Sequence, residues 1–132
     1  MKKKPYHLRV VFSPEEKEVV SQAIKNGLWK SDRLYSLMSL GKELARVNNI
    51  KAPAIIVQYD AEPRYDPQGV IVLNKPSLVT FLHQFVFHKF NGYVPPAFFE
   101  DYARAYSLGL FYAADPVAYK KAAKARRLFY AE

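Results

Sequence analysis

The most apolar stretch of the chain, Leu78 to Phe90, sets the strongest constraint on its fold. At 1.5 Å per residue it makes a helix of roughly 20 Å, too short for a bilayer core of about 30 Å. It also carries His83, Gln84, His88 and Lys89, so it is not a membrane span. Its aromatic side chains, Phe81, Phe85, Phe87 and Phe90, read as core packing, and Val79, Leu82, Val86 and Phe90 share one face.

A core of that kind fits the rest of the chain. With 132 residues, half of them hydrophobic and 15% aromatic, the sequence is expected to form one domain over residues 1–132. A domain of this size buries roughly two thirds of its unfolded surface and needs no covalent staples. There is no cysteine, which excludes disulfides, thiolate zinc sites and thiol nucleophiles. An intracellular location is expected. Met1-Lys2-Lys3-Lys4-Pro5 is basic, but no small-residue cleavage site follows, so a secretory signal is not. The net charge of +8 attracts phosphate-rich or acidic partners.

The punctuation along the chain predicts the order βααββααα, an α+β layout. Tyr6 to Phe12 alternates and is β-rich, so it reads as a strand. Ser13-Pro14-Glu15-Glu16 is a capping box with proline at the first helical position, and Gly27 supplies the left-handed stop. Ser31 or Asp32 is expected to cap a second helix to about Val47, with Leu34, Leu37, Met38, Leu44 and Ala45 as its buried stripe. Ala54 to Tyr59 and Val70 to Leu73 read as strands able to pair as a hairpin. Asn74-Lys75-Pro76-Ser77 opens the apolar helix. Pro95-Pro96 starts a fourth helix, and Asp115-Pro116 a fifth that ends near Tyr130.

Chemistry concentrates on the apolar helix. A strand ending in Leu73-Asn74 leads into the helix bearing His83-Gln84-Phe85-Val86-Phe87-His88, and Glu100-Asp101-Tyr102-Ala103 follows on a later one. This order resembles the minimal gluzincins and SprT-like zinc peptidases, over roughly Ala54 to Tyr119. The resemblance implies a zincin-like domain, with a short twisted sheet packed on helices and a cleft between the sheet and the later helices. It implies a zinc ion held by His83, a second histidine and Glu100 of a Glu-x-x-Ala element.

The sequence departs from that pattern where the chemistry needs it most. In His-Glu-x-x-His, two imidazoles one helical turn apart meet one ion, and the glutamate between them is the general base. Here Gln84 holds the base position and Phe87 the second ligand position. An amide has no useful basicity, and losing a positioned base costs about 10² to 10⁴ in rate. His88 lies five residues from His83, about 140° around a regular helix, and reaches the same ion only through a π-bulge.

The expected function is therefore a non-catalytic zincin-like protein that binds a protein or peptide partner and carries no cofactor. An active zinc hydrolase using His83, His88 and Glu100 through a bulged helix is the first alternative. Plain structural roles compete with both: hydrogen-bonded core positions for the histidines, and an i,i+4 ion pair with Arg104 for Glu100.

A basic nucleic-acid-binding protein is the second alternative. On the last helix, about residues 116–130, Lys120, Lys124 and Arg127 fall on one side, flanked by Lys121 and Arg126. Ala118, Ala122, Ala125 and Phe129 are expected to pack on the opposite side.

Overall fold

The computed structural model describes Val10 and residues 12–90 and 99–128. In chain order these form α1 (Pro14–Lys25), α2 (Leu34–Asn48), β1 (Ala54–Val57), β2 (Arg64–Asp66) and β3 (Val70–Leu73). The helices α3 (Leu78–Lys89), α4 (Phe99–Ala114) and α5 (Pro116–Lys124) follow. The described part is thus α+β, with five helices and one three-stranded mixed sheet. Most of the expected strand over Tyr6 to Phe12 lies outside the described residues; Val10 and Phe12 have no regular structure. The Pro95-Pro96 helix start lies outside them too.

Local chemistry explains the helix ends. The Ser13 hydroxyl accepts the Glu16 N–H at 3.1 Å, and Glu16 Oε1 accepts the Ser13 N–H at 2.9 Å, closing the capping box. Gly27, at φ +113°, ends α1: its N–H and that of Leu28 return to Ile24 and Ala23. Asn49 ends α2 in the same left-handed conformation. Arg126 does so beyond α5, at φ 59°, with its N–H and that of Arg127 bonded to the Ala123 and Ala122 carbonyls. This closed motif stops α5 at Lys124, well short of the expected Tyr130, and nothing but a glycine or asparagine would have signalled it.

The buried stripe of α2 is Leu37, Leu40, Gly41, Leu44 and Ala45, the i, i+3, i+4, i+7, i+8 pattern counted from Leu37. Met38 lies off that pattern and is exposed, contrary to expectation, while Leu40 takes a core position. Gly41 lets α2 approach α3: a Cβ there would stand 3.3 Å from the Phe81 ring.

The sheet corrects the expected hairpin between residues 54–59 and 70–73. β1 runs parallel to β3, with Ile55 opposite Ile71, and the intervening segment contributes a third strand. That strand, β2, pairs antiparallel with β3 on its other side, giving the order β1-β3-β2. The hairpin is therefore β2–β3. Its turn is closed by Gly69 N–H donating to the Asp66 carbonyl at 2.8 Å, with Gly69 at φ +97°. Lying between two strands, β3 buries Ile71, Val72 and Leu73.

The first nine residues of α3, Leu78 to Val86, are all buried. The sheet, α2 and α4 pack around this helix. Its Phe81, Phe85 and Leu82 are fully enclosed with Leu37, Leu44, Ile71 and Phe111. Truncating such a side chain costs about 2–5 kcal/mol.

Two polar devices fasten the helices together. Glu16, 1% exposed, turns Oε2 toward Asn48 Nδ2 at 2.8 Å, Lys89 Nζ at 2.9 Å and the Tyr106 hydroxyl at 2.8 Å. A single carboxylate so joins α1 to α2, α3 and α4.

Asp32 does not cap α2, whose N-cap is Arg33 with no side-chain bond. It accepts the Trp29 N–H at 2.6 Å and the Leu78 N–H at 2.9 Å, tying the α1–α2 loop to the start of α3. Trp29 stands at φ +76°, a conformation costing a side-chain-bearing residue about 1–2 kcal/mol. Asp32 holds it on one side, and Arg127 Nη1 donates to the Trp29 carbonyl at 3.0 Å on the other.

Candidate functional site

Between the β1–β2 connection and α4, beside α3, lies a cleft of about 540 Å³. The β1–β2 connection supplies Ala61, Glu62 and Pro63, the bend after β3 supplies Asn74, α3 supplies Gln84, and α4 supplies Glu100. The lining thus offers two carboxylates and two carboxamides. On a chain of net charge +8 this is an acidic hollow.

Glu100 of this lining meets the buried His83. The imidazole is 2% exposed, and its Nε2 lies 2.9 Å from Glu100 Oε1, whose side chain is 74% exposed. Burial pushes the His83 ring below the usual imidazole range; Glu100 opposes this through its hydrogen bond and charge, and Arg104 adds to the depression. The neutral ring donates its Nε2–H to the carboxylate. Glu100 therefore spans from α4 to α3, across 17 residues of sequence.

Gln84 is buried at the wall of the same cleft. Its carboxamide can donate and accept hydrogen bonds but cannot take a proton from water. Phe87, one turn beyond His83, sets its ring 5.8 Å from the imidazole, centroid to centroid.

His88 faces elsewhere. The helix is α-helical from Leu78 to Lys89, without the π-bulge that would turn His88 under His83. Its Nε2 donates to the Lys51 carbonyl at 2.7 Å, and its Nδ1 is hydrogen-bonded with the Tyr65 hydroxyl at 2.9 Å. His88 so ties α3 to β2 and to the approach to β1.

A zinc site on this helix would need three protein donors. The described residues bring two together, His83 and Glu100, while a phenyl ring stands where the third belongs on the helix. Among the described residues no group of three or more His, Cys, Asp or Glu side chains could hold a metal ion. The donor set at the cleft does not fit zinc.

The basic residues expected on the last helix divide. Lys120, Lys121 and Lys124 are exposed. Arg127 folds back, its Nη1 donating to the carbonyls of Trp29 and Lys30 at 3.0 and 3.2 Å. Ala118 and Ala122 are buried as expected, but Ala125 is exposed because the helix has ended; Phe129 lies outside the described residues.

Glu62 lies in a turn-rich connection, and no local signal in the sequence sets it beside Gln84 and Glu100. Among the described residues no helix is long and apolar enough to cross a membrane. Comparison with protein-family models, curated proteins and solved structures gives no match to the chain.

Proposed function

We propose that the protein is a non-hydrolysing, zincin-like binding domain. Its cleft holds an extended segment of another protein along β2, with a basic side chain directed at Glu62 and Glu100. The observation that carries this reading is the set of side chains on α3 and α4 at and beside the cleft. A carboxamide, Gln84, stands at the position of the base, a phenyl group at that of the second ligand, and the remaining histidine is engaged by Glu100.

The sheet supports the mode of binding. Among the described residues β2 has β3 on one side and no strand on the other, so its outer edge can pair with an added strand. Main-chain hydrogen bonds would give the segment its direction, and the neighbouring acidic cleft would select its side chain.

Peptides selected from a random display library test this directly. Extended sequences with a conserved Lys or Arg are expected, bound more weakly by Glu62→Lys, an exposed change that leaves the core untouched. Mass spectrometry should find the peptides uncut after incubation with and without added zinc. Cleavage in the presence of zinc, or selected peptides indifferent to Glu62→Lys, would overturn the reading.

A further inference from the structure

On another face, the C-terminal end of α1, the loop that follows it and α5 enclose a hollow of about 250 Å³. Lys25, Lys30 and Lys121 line it, one from each of these three segments, and Trp29 forms part of its wall. All three lysines are exposed, and none is in an ion pair with a described carboxylate. Asp115, the acid that also lines the hollow, is engaged by the Ala118 N–H. Lys124, on the exposed side of α5, adds charge nearby along the helix.

The second observation is independent of charge. Trp29 occupies the left-handed region, where glycine is the natural choice and a bulky residue is an outlier. The Asp32 carboxylate and the Arg127 guanidinium hold it there from two sides. Strain retained at a residue that its neighbours over-determine is a mark of a functional site. The strained residue here is the chain's one tryptophan; it is half-buried against the core and lines the hollow together with the three lysines.

We propose that this hollow binds single-stranded nucleic acid, with Lys25, Lys30 and Lys121 holding successive phosphates and the Trp29 ring stacking on a base. Three cations spaced around an aromatic platform are the elements such recognition uses. A duplex keeps its bases stacked inside and leaves the indole without a partner.

Because Trp29 is the single tryptophan, its emission reports on this hollow alone. Titrating the full chain at low salt with an oligothymidylate of about ten nucleotides should quench it. Affinity should fall with salt at a log–log slope of about −2, from roughly three phosphates at about 0.7 each. Lys121→Ala should shrink that slope by about 0.7 and weaken binding several-fold. Trp29→Gly relieves the backbone and should fold, as circular dichroism would show. Followed by the anisotropy of a labelled oligonucleotide, it should bind about fivefold more weakly or worse. Heparin, a polyanion without bases, and a duplex of equal length are the controls. Equal affinity for either overturns the proposal, as does unquenched emission or unchanged affinity in Trp29→Gly.

Discussion

Lys89 Nζ lies 2.9 Å from Glu16 Oε2 in a site where the carboxylate is 1% and the lysine 15% exposed. The ammonium also stands 5.2 Å from the centroid of the Tyr106 ring, so its charge is met on two sides. Burial raises the Glu16 pKa, but the hydrogen bonds from Asn48, Lys89 and the Ser13 N–H, with the Lys89 charge, prevail and hold it below the usual carboxylate range. A depressed acid stabilises the fold above its unfolded pKa, and that stabilisation is lost as pH falls through the folded one. Glu16→Gln leaves Lys89 without its counter-charge and should cost about 2–4 kcal/mol at neutral pH. Urea denaturation from pH 3 to 7 checks both statements. The variant should be weaker near neutrality and flatter on the acid side, and coincident curves would refute the role of Glu16.

Tyr106→Phe removes one donor to the same oxygen and leaves the others in place. The Tyr106 hydroxyl is buried beside a carboxylate, and its own pKa is pushed well above the usual phenol range by burial and then by the Glu16 charge. It donates and stays protonated. A hydrogen bond to a charged acceptor contributes about 1.5–3 kcal/mol, so the loss should fall in that range. The acid limb of the stability profile should also move to higher pH, because Glu16 loses a bond that favours its ionised form. Thermal melts across the acid range would show whether it moves.

These networks mark the boundary of what sequence can say. The Ser13–Glu16 capping box was legible because its partners are three residues apart and the geometry of one helical turn dictates their meeting. The second Glu16 oxygen was not legible, since its donors lie 32, 73 and 90 residues away and only the folded core brings them together. The same holds for Asp32. It looked like a helix cap by position, yet spends both oxygens on Trp29 and Leu78. Apolar runs announced β1 and β3 but carried no direction, so parallel pairing could not be told from a hairpin. The pairing of His83 with Glu100 was suggested by family resemblance alone; periodicity places each on its helix and does not set the two helices side by side.

Asp32→Ala tests the long-range tie. The Asp32 pKa is raised: burial outweighs the bonds from the Leu78 and Trp29 N–H groups and the Arg127 charge. A raised pKa means that this carboxyl favours the fold below its unfolded pKa, and that the contribution is lost as pH rises through the folded value. The alanine variant instead leaves two part-buried N–H donors without their acceptor, at about 1–3 kcal/mol each. A loss near 3 kcal/mol in total is expected, with a changed Trp29 emission spectrum because the strained loop loses one of its two restraints. A variant as stable as the parent, with unaltered emission, would show that the loop holds itself.

Phe87→His tests the zincin-like reading by restoring what the helix lacks. The phenyl ring lies one helical turn from His83 and 5.8 Å from its imidazole, and Glu100 already stands at the His83 Nε2. An imidazole at this position would complete three donors from two helices, the number a tetrahedral site with one open position requires. The variant should take up one equivalent of cobalt with the strong visible absorption of a tetrahedral ion, and Glu100→Ala in the same background should abolish it. Metal binding should also raise the melting temperature, since an ion held only by the folded state stabilises it by mass action. Adding Gln84→Glu should leave cobalt binding in place and supply the missing base, giving hydrolysis where Phe87→His alone gives little. If a well-folded Phe87→His protein binds no cobalt, the two helices are not arranged as a peptidase site. The likeness of residues 83–88 to the zinc helix would then be one of sequence alone.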